Sequence, residues 1–383
     1  MKQPAELCVP WGAWVIEEER CFPLPSSWRL ETAAIHQAPL GPGLPEALDH
    51  PIDADPLEQL ARHVRARSAS PGVAIAVEDL TRPAPAAPVL ETLLDRLALG
   101  GIPPQRVRVI LAVGGHAPAS AAELRRKLGE RVCSECDVSN HHPYENLVDL
   151  GRSKNGIPVA INRSFAEADV KLAVGSVVPH PYAGFGGGGK IVLPGLAGID
   201  TLEMNHRPAV TGLSGAGLGI VDGNGARAEM EEIALAAGLE AVVNIVPGPR
   251  RQPLGYFYGH PVAAHRRAVA LARQLYQVPV RPGADAALLN AYPKDGELLQ
   301  VGNAFNAYRA LDPPLVREGG TVIVTAACPQ GRGYHSLHGP GMRLYRDPIE
   351  RPYLSGRELV VFAPTLSTHD VRKSFWSGYP HAR

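Results

Sequence analysis

The chain has 383 residues, 45% hydrophobic and 20% charged, which is ordinary globular composition and long enough for two domains. Lys plus Arg and Asp plus Glu stand at 38 each, so neither nucleic acid nor a membrane surface is an expected partner. No apolar run approaches the roughly 18 residues of a membrane helix. The N-terminal region carries Glu6 and the acidic run Glu17 to Glu19 where a signal peptide would be apolar, so the expected location is cytoplasmic. Five cysteines, an odd number, do not make a disulfide framework. Cys133 and Cys136 form a C-x-x-C with His141 and His142 behind it; a single such pair reads as a polar connector before it reads as a zinc or redox site.

In chain order the apolar pattern alternates between strand-like and helix-like segments, the α/β signature. "GVAIAVED" (Gly72 to Asp79) is a short strand ending in the charged turn "DLTRPAP", and "VLETLLDRLALGG" is a helix. "RVRVILAVGG" is a second strand, "SAAELRRKLG" a second helix, and "DVKLAVGSVV" a third strand running into a glycine-rich loop. A helix over "ARAEMEEIALAAG", the segment "AVVNIVPG" and the long amphipathic helix "HPVAAHRRAVALARQLYQV" complete a first domain, 1–280, of Rossmann-like type. A smaller α/β lobe, 281–383, repeats the pattern with strands near Ala286 to Leu289 and from Gly319, and a helix around Gln300 to Leu311. The active site is expected between the two. Ligands of open α/β sheets sit where strands end, so Asp79 to Arg82, His116 and His180 to Lys190 belong to loops that can converge.

The loop "HPYAGFGGGGKIVLPG" (His180 to Gly195) suggests a phosphate loop, but the residue after Lys190 is Ile191, which has no hydroxyl for magnesium, so the triphosphate reading fails. What remains is chemistry carried by histidine and lysine. Imidazoles transfer protons near neutrality and ligate borderline metals such as nickel or zinc. A lysine can hold phosphate, pair with a carboxylate or carry a covalent cofactor, and Gly187 and Gly188 permit close backbone approach to it. Singly, His116, His180 and His206 read as structural or solvent-facing; three on strand ends and adjacent segments beside Lys190 read as a site.

"PHPYAGFGGGGKIVLPGLAG" followed by "NHR" resembles the signature of the nickel-dependent lactate racemase family. The resemblance extends to "EDLTRPAP", "GGHAP", "NGIPVAINRSFAEAD", "GNGARAEMEEIA", "GHPVAAH" and "DGELLQVGNAF", covering nearly the whole chain. It implies an isomerase acting on a 2-hydroxy acid by hydride transfer to and from a nickel-pincer nucleotide, through a 2-keto acid. The implied cofactor is a pyridinium-3,5-bisthiocarboxylic acid mononucleotide, joined to Lys190 through a thioamide, with His206 as the protein ligand to nickel and cofactor-biosynthesis proteins as partners in maturation. His116 and His180 would be the two acid/base groups, one for each hand of the substrate. Arg82 would take the substrate carboxylate, with Asp79 and Thr81 holding the nucleotide. A one-way hydride-transfer enzyme with the same cofactor, or a non-catalytic cofactor or nucleotide carrier, would share these motifs; retention of both His116 and His180 favours the racemase or epimerase.

The sequence departs from that family at one substrate position. The family has Gln and, three residues on, Lys; here Gln300 is followed by Asn303. An amide both donates and accepts, so spare hydrogen bonding for extra substrate hydroxyls and a substrate other than lactate are expected, with Lys294 as an alternative cation. The chain also ends soon after Trp376, earlier than family members do, which leaves that residue a weak pocket element.

Overall fold

The computed structural model describes residues 5–33, 35, 40–211, 215–346, 351–374, 381 and 382. The chain divides into two compact units, residues 37–276 and residues 1–36 with 277–383.

The larger unit is built on six strands: β1 (Val73–Glu78), β2 (Val107–Ala112), β3 (Asp137–Asn140), β4 (Val170–Ser176), β5 (Ala241–Pro247) and β6 (Pro253–Gly259). Their order in the sheet is β6-β5-β4-β1-β2-β3. Every pairing is parallel except β5 with β6. The chain therefore builds outward from β1 to β3, then returns to the other side of β1 with β4. In doubly wound sheets, that reversal opens a crevice at the carboxyl ends of the two diverging strands.

Side chains alternate across a strand, so one sheet specifies two cores. Val73, Ile75 and Val77 face a layer with Leu57 and Ala61 of the helix Leu57–Arg67 and Leu90, Leu93, Leu94 and Leu97 of the helix Ala87–Leu99. Ala74, Ala76 and Ala173 face the other layer, which holds Ile191 to Leu193, Leu196, Met230 and Ile233. Small residues on this second face let the segment after the glycine run lie close on the sheet. A Cβ on Gly175 would press on the end of the Ile191 side chain, so the glycine in β4 lets Ile191 pack directly on the strand. The helix Ala121–Leu128 begins with a capping box, in which Ser120 and Glu123 satisfy each other's backbone N–H groups, as the S-x-x-E spacing dictates.

The smaller unit holds a four-stranded sheet in the order Ala284–Asn290, Val316–Thr325, Glu358–Phe362, His381–Ala382, all parallel. Its core is Leu298, Val301, Phe305, Val322, Val324, Leu359 and Val361. The helix expected from Gln300 is broken into Leu298–Val301, a 3-10 turn Gly302–Ala304 and Phe305–Tyr308. Gly302 interrupts it, consistent with the poor helix propensity of glycine.

Two findings differ from the sequence reading. Residues 1–36, which that reading counted with the first domain, belong with the C-terminal segment. Their antiparallel hairpin, Ala5–Trp11 with Glu18–Leu24, is fixed there by long-range contacts. The buried Asp295 carboxylate accepts the N–H groups of Gly12 at 2.8 Å and Ala13 at 3.3 Å, and the rings of Trp11 and Phe22 pack on Phe362. Second, two of the five cysteines are paired: Cys8 lies directly opposite Cys21 in the hairpin register and the two form a disulfide.

Candidate active site

The reversal between β1 and β4 is bridged by one carboxylate. Glu78, the last residue of β1, is buried and accepts from the Ser176 backbone N–H at 2.6 Å and its hydroxyl at 2.7 Å, at the end of β4. Its other oxygen accepts the Ala84 N–H at 3.1 Å and lies 3.5 Å from the buried Lys127 ammonium. Lys127 also donates to the carbonyls of Arg82 at 3.2 Å and Ala84 at 2.8 Å, so the turn after β1 is held from both sides. Burial pushes the Lys127 amine down, against the pull of Glu78 and Asp79.

On this turn Asp79, Thr81 and Arg82 meet His116, which follows β2. The Asp79 Oδ1 accepts the Thr81 N–H at 2.7 Å, and its Oδ2 lies 3.1 Å from His116 Nδ1. Thr81 Oγ1 is 3.4 Å from the same nitrogen and accepts from Arg82 at 2.9 Å. Burial by itself raises the Asp79 carboxyl; the charges of His116 and Arg82 and the hydrogen bonds from His116 and Thr81 outweigh it and hold the group well below the usual carboxylate range. Asp79 and Thr81, assigned to the nucleotide from the sequence, are thus engaged with His116.

The segment leaving β4 carries the remaining groups. Pro179–His180 pairs with Gly184–Phe185 in a small hairpin, and the His180 Nδ1 accepts the N–H groups of Tyr182 and Ala183, both at 3.2 Å. The Tyr182 ring stands edge-on between two imidazoles, with centroids 5.9 Å from His180 and 5.8 Å from His206. Tyr182 is inside the motif read from the sequence yet was given no role there. Lys190 is 8% exposed and lies in the 3-10 turn Gly188–Ile191. His206, on the helix Ile199–Thr211, is also buried, and its Nδ1 lies 2.9 Å from the Leu202 carbonyl one turn back.

The glycines are packed against the protein itself. A Cβ on Gly187 (φ 74°) would meet Asn244 Oδ1 at 2.6 Å, and one on Gly188 (φ 58°) would meet the His265 ring at 3.0 Å. The Gly188 N–H donates to Asn244 Oδ1 at 2.9 Å, and the Gly187 carbonyl accepts from the fully buried Arg227 at 3.1 Å. Arg227 pairs with Glu231, which also binds Arg266, and His265 donates to the Gly186 carbonyl at 2.8 Å and contacts Arg227. This buried network fixes the loop from below. Sequence periodicity gave no sign of it, because its members come from β5 and two helices, Gly225–Ala236 and Ala263–Tyr276.

Within the smaller unit, Gln300, Asn303 and Lys294 are brought together. Asn303 Oδ1 accepts from Lys294 at 3.4 Å and from Asn306 at 3.1 Å. Its Nδ2 donates to the Gln300 carbonyl at 2.8 Å and the Gln300 side-chain oxygen at 3.2 Å. The amide capacity that the sequence reading reserved for substrate hydroxyls is used inside this unit. Cys133 and Cys136 are unpaired thiols packed against the first core; burial pushes Cys136 up to about 11. His141 is buried against the Ala197 carbonyl, and burial pushes it down to about 4. Trp376 lies outside the described residues.

A doubly wound sheet that carries a carboxylate-backed imidazole, a second imidazole and a buried lysine on the segments leaving its strand ends has the make-up of an α/β enzyme. The lactate racemase N-terminal domain matches residues 29–218. The chain is 32% identical over 299 residues to the lactate racemase of Lactiplantibacillus plantarum, an alignment spanning 76% of this chain and 68% of that one. It is 28% identical to the lactate racemase of Thermoanaerobacterium thermosaccharolyticum over 75% of this chain and 66% of the relative, just under two thirds of its length. The chain belongs to the lactate racemase family, a family of isomerases. Its fold is that of the T. thermosaccharolyticum lactate racemase apoprotein, with TM-score 0.74 at 23% identity, covering 99% of this chain and 92% of that one. A Thermotoga maritima protein of known structure is similar at TM-score 0.64 and 18% identity, covering 89% of this chain and 92% of that one. Among the described residues, no helix is long and apolar enough to cross a membrane.

Proposed function

We propose that this protein racemises or epimerises a 2-hydroxy acid with a nickel-pincer nucleotide tethered at Lys190. The observation that carries the reading is that the segments after β1 and β4, the strands flanking the reversal, each hold an imidazole in place: His116 through Asp79, and His180 in the hairpin after β4.

The residues present fit the cofactor. His206 directs Nδ1 at a carbonyl, which leaves Nε2 as the lone-pair nitrogen, the usual arrangement of a metal-bound histidine. Among the described residues no group of three His, Cys, Asp or Glu donors gathers at His206, so a nickel ion held by His206 would need further ligands from the cofactor itself. A thioamide at Lys190 is neutral, and burial favours it over an ammonium. Asn205 Oδ1 and Asn244 Nδ2 are buried polar atoms with no hydrogen-bond partner among the described residues, beside His206 in sequence and against Gly187 respectively. When bound, the cofactor supplies the acceptor and donor of the substrate's α-hydride.

The chain's own residues do the rest. The Arg82 guanidinium takes the substrate carboxylate, for which its planar fork is suited. Within the smaller unit, Asn303 holds together Gln300 and Lys294, the polar and cationic groups that the family resemblance assigns to substrate. The imidazoles of His116 and His180 face the hydroxyl that becomes a carbonyl and returns. The deciding experiment is a chirality-resolved assay of cofactor-loaded enzyme against single enantiomers of lactate, malate, 2-hydroxybutyrate, phenyllactate and gluconate. Interconversion of at least one is expected; a loaded enzyme that interconverts none overturns the reading.

A further inference from the structure

His141, the residue after β3, is buried in a chain of hydrogen bonds whose two ends cannot be reversed. At one end the Phe165 backbone N–H, which can only donate, bonds to Asn162 Oδ1 at 3.2 Å. That orients the amide, so Asn162 Nδ2 donates to His141 Nδ1 at 3.3 Å. At the other end the Ala197 carbonyl, which can only accept, bonds to His141 Nε2 at 3.0 Å. The ring is therefore neutral, with its proton on Nε2 and its lone pair on Nδ1. A second proton would point at the Asn162 amide, so the chain holds only while the imidazole is uncharged. Burial acts in the same direction and pushes His141 down to about 4. The titratable group that faces it is His142. Of the elements packed against it, the strand Pro158–Asn162 and residues 195–198 carry no charged side chain, and Arg108 and Asp137, at the far ends of β2 and β3, pair with each other at 2.6 Å.

This ring ties together two segments that carry the proposed chemistry. Its backbone N–H donates to the Leu111 carbonyl at 2.9 Å, near the end of β2, from which the chain turns to His116. Its side chain holds Ala197, at the end of a run of turns that starts at Lys190. Within that run the Val192 N–H donates to the Gly189 carbonyl at 3.0 Å and the Leu196 N–H to the Val192 carbonyl at 2.8 Å. The two segments meet where the Gly114 N–H donates to the Gly195 carbonyl at 3.0 Å. A Cβ on Gly114 (φ 54°) would stand 3.0 Å from the Pro194 carbonyl oxygen, so the contact is close. Asn162 adds a further stitch, its N–H donating to the Leu196 carbonyl at 2.9 Å. We propose that His141 is a positioning residue: a neutral strut that fixes the Lys190 segment against the His116 turn and so keeps the tether and one acid/base imidazole at a set spacing. It acts through Ala197 and Leu111. Its bearing on turnover rests on the racemase reading, whereas the strut itself is testable in the apoprotein.

The test uses the full-length apoprotein labelled with ¹⁵N-histidine, with the His141 ring assigned by its loss in His141→Gln. Long-range ¹H–¹⁵N spectra should place the proton on Nε2, and the ring should stay neutral down to about pH 5. A proton on Nδ1, or titration near the ordinary value of about 6.5, overturns the proposal in the wild-type protein itself. Glutamine can donate to Ala197 and accept from Asn162 with no proton to gain, whereas leucine keeps the volume and can do neither. His141→Leu should therefore speed exchange of the Gly114 amide by about 10-fold or more, the worth of one buried hydrogen bond. His141→Gln should leave it close to wild type, and the Tyr182 and Ala183 amides should be unchanged in both. Unaltered Gly114 protection in the leucine variant overturns the coupling. Because the folded value of His141 lies below the unfolded one, its contribution to stability is full above about pH 6.5 and falls as pH drops toward 4. Urea denaturation across that window should show the balance between wild type and His141→Gln moving in favour of the glutamine variant; a difference independent of pH overturns the neutral strut. In loaded enzyme His141→Leu should lower kcat by about 10- to 100-fold with KM little changed, since spacing and not substrate contact is lost, and His141→Gln should restore most of it. Equal losses in the two variants, or a loss confined to KM, would remove His141 from this role. If the spectra and the Gly114 exchange are as described but loaded wild-type enzyme interconverts no 2-hydroxy acid, the racemase reading fails and the strut stands.

Discussion

The Lys294 ammonium lies 3.4 Å from the Asn303 side-chain oxygen, and the same amide donates to Gln300. Asn303 is thus a bracket between a cation and a polar group, with both its oxygen and its nitrogen already in use. An asparagine so engaged has no hydrogen bonds left for the hydroxyls of a polyhydroxylated acid, while the positive charge that a lysine at this position would carry is present on Lys294. Lys294→Ala should raise KM for the preferred 2-hydroxy acid by about 10- to 100-fold, the range of a charged hydrogen bond. Asn303→Lys, placed against Lys294, should not improve affinity and should lower the stability of the protein by about 1 kcal/mol, because like charges at contact repel even in water. A tighter-binding Asn303→Lys enzyme would show that Lys294 does not fill this role.

Attachment at Lys190 is read by mass. Protein matured with the cofactor-biosynthesis proteins should exceed the mass of the apo chain by one sulfur-bearing mononucleotide, and Lys190→Ala should abolish the increment. His206→Ala should keep the organic increment and lose most of the nickel in elemental analysis, because losing a protein ligand weakens the metal without touching the tether. Fully active enzyme with an unmodified Lys190 would sink the tether.

Much of this arrangement was legible because its signals are local. Val73 to Glu78 reads as a strand from six residues, Ser120 and Glu123 announce a helix start, and the run around Lys190 is long enough to carry a family resemblance. The misses have a common cause: they are contacts between segments distant in sequence. Glu78 meets Ser176 across 98 residues, Gly12 meets Asp295 across 283, and Arg227 reaches the glycine loop from a helix 40 residues on. No periodicity encodes such pairs. The case of Asn303 is different, since its neighbours lie three and nine residues away; there the missing information was side-chain direction.

Lys127 is one of those silent residues. Its ammonium is buried against Glu78 and holds the carbonyls of Arg82 and Ala84. Lys127→Met removes the charge from a buried pair and leaves two carbonyls without a donor, so a loss of about 3–5 kcal/mol in unfolding free energy is expected. Because the Arg82 turn is what Lys127 supports, variant enzyme that remains folded at low temperature should also bind substrate more weakly. Chemical denaturation together with KM checks both; a stable variant with unchanged KM would show that the turn is held by Glu78 alone.

The last prediction concerns acid. The Asp79 carboxyl is held below its ordinary value in the folded protein, so its contribution to stability is fully present above the unfolded value of about 3.9 and is lost as pH falls toward the depressed folded value. Asn at the same position accepts from Thr81 but has no charge to offer His116. Asp79→Asn apoprotein should therefore be less stable than wild type by about 2 kcal/mol near neutrality, the worth of hydrogen bonds to an ionised group. The difference should be flat from neutral pH down to about pH 5 and then shrink as the acid range is entered, since only the wild-type side chain takes up a proton on unfolding there. Urea denaturation of the two proteins across that range provides the measurement. A gap that stays constant or widens below pH 4 would mean that the fold does not prefer the ionised carboxylate, and with it would go the electrostatic support of His116 by Asp79.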